Sequence, residues 1–214
     1  MHENFIALER EKRDRIINAA LREFSTKGFK NASTNEIVKK AGISKGALFH
    51  YFSSKQDLFA FLYRYCADFF METVLPHIND MPVDVFDRWM AFTALKIEIA
   101  AQYPTMADFM QSAYREDAFE AQGFLKAELD RFSNDFSQKV YNGIDLSKFK
   151  PDIDTAKALQ IIWWVLEGYS LAKQKELLDL SKLKSEEFLQ SLINEIESYL
   201  NILKSAFYKD ESLK

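Results

Sequence analysis

The sequence predicts an all-α protein of about nine helices, and three observations carry that reading. Apolar residues recur with a helical period along almost the whole chain, and no stretch alternates as a strand does. Gly (6) and Pro (4) are scarce in 214 residues, so the helices are long and their breaks few. The breaks fall where Ser, Gly or Pro stands between periodic segments. With 48% hydrophobic and 14% aromatic residues, the chain can bury one sizeable core with a small appended head, and its composition is not that of a disordered protein.

The first helix is predicted over Glu11–Lys27, with Ile17, Ala20, Leu21 and Phe24 on one face and Gly28 as its stop. Ser33 and Glu36 read as a capping box that starts the second helix at Thr34, and Gly42 ends it in a left-handed conformation. Ser44 caps a short third helix that runs to about Tyr51. Ser53 and Gln56 read as another capping box, opening a long fourth helix that ends by Pro76. A fifth helix is expected over Val83–Tyr103, before Pro104, and a short sixth to about Tyr114. The seventh spans about Ala118–Tyr141 and breaks at Asn142-Gly143. The eighth spans about Thr155–Leu178 and the ninth about Glu186–Tyr208, with a polar tail after Lys209.

Charge divides the chain. Residues 1–55 carry 11 Lys/Arg against 6 Asp/Glu, whereas residues 56–214 carry 17 against 26. A basic front on an acidic body implies an anionic partner at the front only. The expected domains are therefore a head, 1–55, and a helical body, 56–214. A single cysteine, Cys66, excludes an intrachain disulfide and sits in an apolar helical pattern, as a small buried hydrophobe does. No signal-peptide pattern opens the chain and no apolar run spans a bilayer, so a cytoplasmic protein without membrane contact is expected. His2, His50 and His77 form no metal-spaced pair, and no nucleophile–base grouping or phosphate loop can be argued, so neither an enzyme, a metal nor a cofactor is expected.

Residues 33–55 read as two short helices joined by a tight turn, the layout of a helix-turn-helix. At about 100° per residue, Leu48 and Tyr51 of the third helix fall on the side of Ser44, while Lys45, Gly46, Phe49 and His50 occupy the opposite arc. Leu48 is thus expected inside, and Lys45, Phe49 and His50 outside. An exposed Phe on a short helix is costly in water unless bases or deoxyribose cover it, and Gly46 permits close approach to a duplex. Thr34 and Lys55 stand at helix starts, where a phosphate meets unpaired N–H groups. The same shape occurs in helical domains that do not bind DNA, and Tyr51 and Phe52 also suit a core.

Residues 11–59 resemble the DNA-binding domain of the tetracycline-repressor (TetR) family of bacterial regulators. The resemblance lies in Phe24…Gly28-Phe29, Ser33-Thr34…Ile37, Ala41-Gly42-Ile43-Ser44-Lys45-Gly46, Leu48-Phe49-His50-Tyr51-Phe52 and Lys55…Leu58. It implies DNA contacts from Thr34, Lys45, Gly46, Phe49, His50, Tyr51 and Lys55, to which Ser44 is added as the cap of the reading helix. Position 49 is often Tyr in the family, so Phe49 lacks one hydroxyl for a phosphate.

The resemblance further implies a body that binds a small-molecule effector among helices four to eight and forms a homodimer through its last two helices. Phe188, Leu192, Ile196, Tyr199 and Leu203 form one apolar seam of the ninth helix, and Leu189, Ile193, Leu200 and Phe207 a second, too wide a stripe for one contact. Inward pocket candidates are Phe70, Phe92, Ile99, Phe109, Met110, Phe132, Trp163 and Glu167, a set suited to an apolar or aromatic molecule. The expected function is a ligand-responsive regulator, a repressor released from a near-palindromic double-stranded operator. Its rivals are a DNA-binding structural or assembly factor without small-molecule control, and a helical enzyme with an incidental helix-turn-helix.

Overall fold

The computed structural model describes residues 2–114, 139–173 and 185–210, together with 116, 123, 126, 127 and 131. Among these the helices are α1 (Glu3–Ile6), α2 (Arg10–Asn31), α3 (Thr34–Ala41), α4 (Lys45–Tyr51), α5 (Lys55–Ile78), α6 (Val85–Gln102), α7 (Pro104–Tyr114), α8 (Thr155–Ala172) and α9 (Glu186–Phe207). The fold is all-α; the one extended pairing among the described residues is an isolated antiparallel bridge between Phe149 and Tyr208. No described helix is long and apolar enough to cross a membrane. The chain divides into two compact units.

In the first unit, described residues up to Asp80 and from Leu95 to Asn142, α2 packs against α3, α5 and α7. The apolar face of α2 (Ile16, Ile17, Ala20, Leu21, Phe24) closes on Leu58, Phe59, Leu62 and Phe109. The ring of Phe59 stands edge-on to Phe24 at 4.9 Å, to Phe109 at 5.1 Å and to Phe29 at 5.3 Å. Each such pair contributes about 0.5–1.5 kcal/mol beyond the area it buries. The expected division after residue 55 falls at the first residue of α5, within the first unit, where the charge balance of the chain changes. Cys66 is buried, and burial pushes its thiol up to about 12, so it is an inert apolar filler.

Several boundaries differ from the sequence reading. A short helix precedes the first expected one, because Phe5 is fully buried against Phe52 and Phe61, a contact that local periodicity does not reveal. At Gly28 (φ 69°) α2 kinks and then continues to Asn31. The Ser33–Glu36 capping box does not form: the Ser33 side chain makes no cap bond, and its backbone N–H donates instead to Glu23 at 3.3 Å. The cap of α5 is Ser54, not Ser53; its Oγ accepts from the Asp57 N–H, and Asp57 reaches back to the Ser53 N–H at 2.8 Å. Helix α5 runs two residues past Pro76, since a proline this near the C-terminus forfeits one late bond only. Most of the expected seventh helix, and the expected eighth beyond Lys173, lie outside the described residues.

Glu23 is a buried carboxylate that ties α2 to α3. It accepts from Lys27 at 2.9 Å, from Lys40 at 3.0 Å and from the Ser33 N–H. Burial alone would raise its pKa, but these donors outweigh burial and hold it at about 2, against 4.5 for a free side chain.

The second unit comprises described residues from Met81 to Ala94 and from Gly143 onward; α6 contributes its first half here and its second half to the first unit. Helices α8 and α9 pack together. Asp84 caps α6, accepting from the Phe86 N–H at 2.9 Å, while its other oxygen accepts from Lys148 at 2.7 Å and from the Tyr208 hydroxyl at 3.1 Å. Burial would raise the Asp84 pKa, but the Lys148 ammonium, the Asp87 amide and Tyr208 overcome it and hold the carboxyl below its usual range. Tyr208 leaves the end of α9 to bridge Phe149, and its ring packs edge-on to Phe86 at 5.2 Å.

Two outcomes are expected. Because folding lowers the Glu23 pKa, its stabilising contribution is complete above about pH 4.5 and fades as pH falls toward 2. Glu23→Gln should cost about 2 kcal/mol at neutral pH, with the gap to wild type closing in acid, as read by urea melts across that range. Tyr208→Phe should cost about 1–2 kcal/mol by removing the hydroxyl donor to a buried carboxylate, measured in the same way.

Candidate nucleic-acid interface

Helices α3 and α4 are too short to stand alone, so each side chain's direction is set by what the helix buries. The C-terminus of α3 closes with Gly42 at φ 67°, the Gly42 N–H donating to Lys39 O at 3.4 Å and the Ile43 N–H to Val38 O at 3.0 Å. This paired ending requires a left-handed residue, and a side chain there would be strained. Ile43 then tucks against the core, and Ser44 opens α4 by accepting from the Ala47 N–H at 3.1 Å.

Helix α4 has seven residues and buries Leu48, which is 1% exposed. That single anchor orients the rest. Lys45, Gly46 and His50 are exposed, and Phe49 keeps 38% of its surface in solvent. Ser44 is exposed as well, whereas Tyr51 and Thr34 are half-buried. The His50 and Tyr51 rings meet edge-on at 5.4 Å. A methyl group built on Gly46 would meet only Ser44 Oγ, at an ordinary 3.9 Å, so the fold makes no demand for glycine at this position. The face carries positive charge, a hydrogen-bonding imidazole and an apolar ring on one side of a helix narrow enough for a major groove.

Lys55 lies at the first position of α5 but is already engaged. Its ammonium donates to Lys30 O at 3.1 Å and to Ala32 O at 3.2 Å, and sits 4.8 Å above the Phe29 ring. It ties the kinked end of α2 to the start of α5, and a phosphate there would have to share it with those carbonyls.

The sequence reading missed the N-terminal residues. His2 Nε2 donates to Asp57 at 3.0 Å, with its ring 5.1 Å from Phe52 and 5.2 Å from Phe61. Phe5 lies 4.8 Å from Phe52 and 5.7 Å from Tyr51. Burial would raise the Asp57 pKa, but the Ser53 backbone N–H and His2 outweigh it and keep the carboxylate ionised below its ordinary range. These residues brace the turn between α4 and α5 from behind. Four residues with one deeply buried ring leave no periodic signal; the isolated Phe5 beside a lone His2 was the only available hint.

The seven described pocket candidates divide between the two units. Phe92 is buried and Trp163 half-buried, and both rings meet Trp89, at 5.6 Å and 5.5 Å; Glu167 is half-buried further along α8. In the first unit Ile99 is buried and Phe70 and Met110 are half-buried. Phe109, fully enclosed by Phe24 and Phe59, holds the position of a core residue. Phe132 lies outside the described residues.

Residues 16–62 match the family described as "Bacterial regulatory proteins, tetR family". Over 188 residues the chain is 24% identical to the HTH-type transcriptional regulator RutR of Escherichia coli (strain K12), covering 87% of each chain. It is 21% identical over 185 residues to IcaR of Staphylococcus aureus (strain Newman), a negative transcriptional regulator of a biofilm operon, covering 85% of this chain and 97% of that one. Its fold is similar to that of the SmeT–triclosan complex, with a TM-score of 0.66 at 20% identity over 94% of this chain and 93% of the other. The matched segment holds α2 from Ile16 onward with its kink, the α3–α4 turn and the outward face of α4. Residues 16–62 thus form a DNA-binding segment of the tetR-family type, set in an all-helical fold similar to that of solved TetR-family regulators.

Proposed function

We propose that this regulator represses transcription as a homodimer, reading a near-palindromic operator with α4 and leaving it when a small molecule binds the body. The observation that carries the reading is the outward display of Lys45, Phe49 and His50 around a buried Leu48. Lys45 and His50 supply donors to base edges, and Phe49 finds cover against thymine methyls or deoxyribose. Thr34 and the starts of α3 and α5 meet phosphates, which fix register without reading sequence. The role is one of binding, with the head (1–55) as reader and the body (56–214) as sensor and dimerisation unit, acting in the cytoplasm.

Support for the dimer comes from the second unit. Ile161 and Trp164 on α8 are 37% and 61% exposed, and Tyr199 and Ile202 on α9 are 44% and 67% exposed. Each pair is spaced by three residues and so shares a helix face. Large apolar side chains left in water on two adjacent helices suit a self-complementary four-helix contact. Two copies would set two α4 helices about 34–36 Å apart, in successive major grooves.

For the ligand, support comes from likeness: SmeT is solved with triclosan, an apolar aromatic molecule, and Phe92, Trp89 and Trp163 form an aromatic group in the second unit. Ligand and DNA must favour different conformers; coupling of about 1–3 kcal/mol changes DNA affinity roughly 5–150-fold.

Gly46→Ala separates fold from function. It should leave the head as stable as wild type, or more stable by up to about 1 kcal/mol through helix propensity, while weakening binding to a duplex selected from a random pool. Unchanged affinity would show that nothing approaches this helix closely. Ile202→Glu together with Trp164→Glu should convert the dimer to a folded monomer in light-scattering chromatography and cost most of the operator affinity.

A further inference from the structure

A groove of about 540 Å³ opens on the first unit, along the N-terminal half of α2, the middle of α5 and the corner where α6 ends and α7 begins. This volume lies within the ordinary range for small-molecule sites, roughly 300–1,000 Å³. None of its lining residues belongs to the outward face of α4 or to the exposed faces of α8 and α9.

The lining has two characters. The first turns of α2 contribute Arg10, Arg13 and Asp14, two guanidinium groups against one carboxylate, so that end is net positive. Arg10 makes a loose, solvent-exposed pair with Asp14 at 3.6 Å. Arg13 commits one amino group to Ile6 O at 2.7 Å, one of the five N–H donors a guanidinium carries. The rest combines an aromatic group with polar side chains: Phe69 of α5 stands edge-on to Tyr103 at 4.7 Å with Met106 of α7 in the same lining, and Asn18, Gln102 and Thr105 add amide and hydroxyl groups. Tyr65 also lines the groove; burial and then Asp14 raise its pKa, so its hydroxyl stays protonated and available as a donor.

We propose that this groove binds a small aromatic carboxylate, its ring against Phe69 and Tyr103 and its carboxylate against Arg13 and Arg10. Planar guanidinium groups pair with carboxylates in a two-point fork, and the aromatic floor takes the ring edge-on or offset. A cation would meet two guanidinium groups against the single Asp14 carboxylate. The occupant touches α2, on which α3 is packed, together with the first turn of α7, so it reaches the frame of the reading head directly. The site goes beyond the regulatory reading above and does not depend on it, because binding is measured on the protein alone.

The test is isothermal titration calorimetry of the full chain with 2-naphthoate, with 2-naphthylmethylamine as the cation of similar shape. Two variants, checked for folding by circular dichroism, accompany the wild type: Arg13→Ala removes the charge, and Thr105→Trp fills the groove. The expected result is saturable binding of the acid, weakened at least tenfold in each variant, and no binding of the amine. Absence of binding at millimolar acid, wild-type affinity in either folded variant, or an amine that binds as well as the acid would each overturn the proposal. DNA affinity measured on the same variants without ligand reports separately on the reading head.

Discussion

Leu48 decides what α4 does. A seven-residue helix has too few turns to hold itself together, and its one deeply buried side chain fixes both its existence and its rotation. Burying a leucine contributes about 1.5–3 kcal/mol, and with it every other α4 side chain acquires a direction. Lys45 and His50, three and two positions away, have no route inward and must face whatever lies outside. The chemistry of the outer face therefore follows from the burial of the inner one. Phe49 is the exception: a large apolar ring, 38% exposed, on a helix that could as easily carry a polar residue there.

That anchor has to be held in place, and the chain does so with polar clasps around an aromatic centre. Glu23 joins α2 to α3 from a buried position, Gly42 turns the chain sharply enough to bring Leu48 inward, and Lys55 binds the carbonyls at the kinked end of α2. His2 and Phe5 close the far side against Phe52. Beneath them Phe24, Phe59 and Phe109 form one packed group, so α2 shares its core with α5 and α7. A displacement of α7 would reach α2 through these packed rings, the physical means by which the proposed effector could act on the proposed reading helix.

Much of this was legible in the residues alone, for a physical reason. Helical periodicity specifies which side chains share a face, so the inward Leu48 and the outward Lys45, Phe49 and His50 follow from spacing, as do Gly42 as a left-handed stop and Ser44 as a cap. What spacing does not reveal is a partner distant in sequence. Ser33 resembled half of a capping box, but the competing acceptor, Glu23, lies ten residues earlier. Lys55 resembled a phosphate ligand, and spacing did not show that the carbonyls of Lys30 and Ala32 already hold its ammonium. The burial of Phe5 and the enclosure of Phe109 depend on tertiary neighbours that leave no local trace. Body residues suffer most, because an aromatic lining a cavity and one filling a core carry the same periodic signature.

The central claim is that α4 reads bases from the major groove. Methylation interference on a guanine-containing duplex selected by the protein tests it most directly, because dimethyl sulfate marks guanine N7 in the major groove and adenine N3 in the minor groove. The account predicts that guanine N7 methylation blocks binding in two clusters about one helical turn apart. Interference confined to adenine N3, or indifference to methylation at every position, would contradict it.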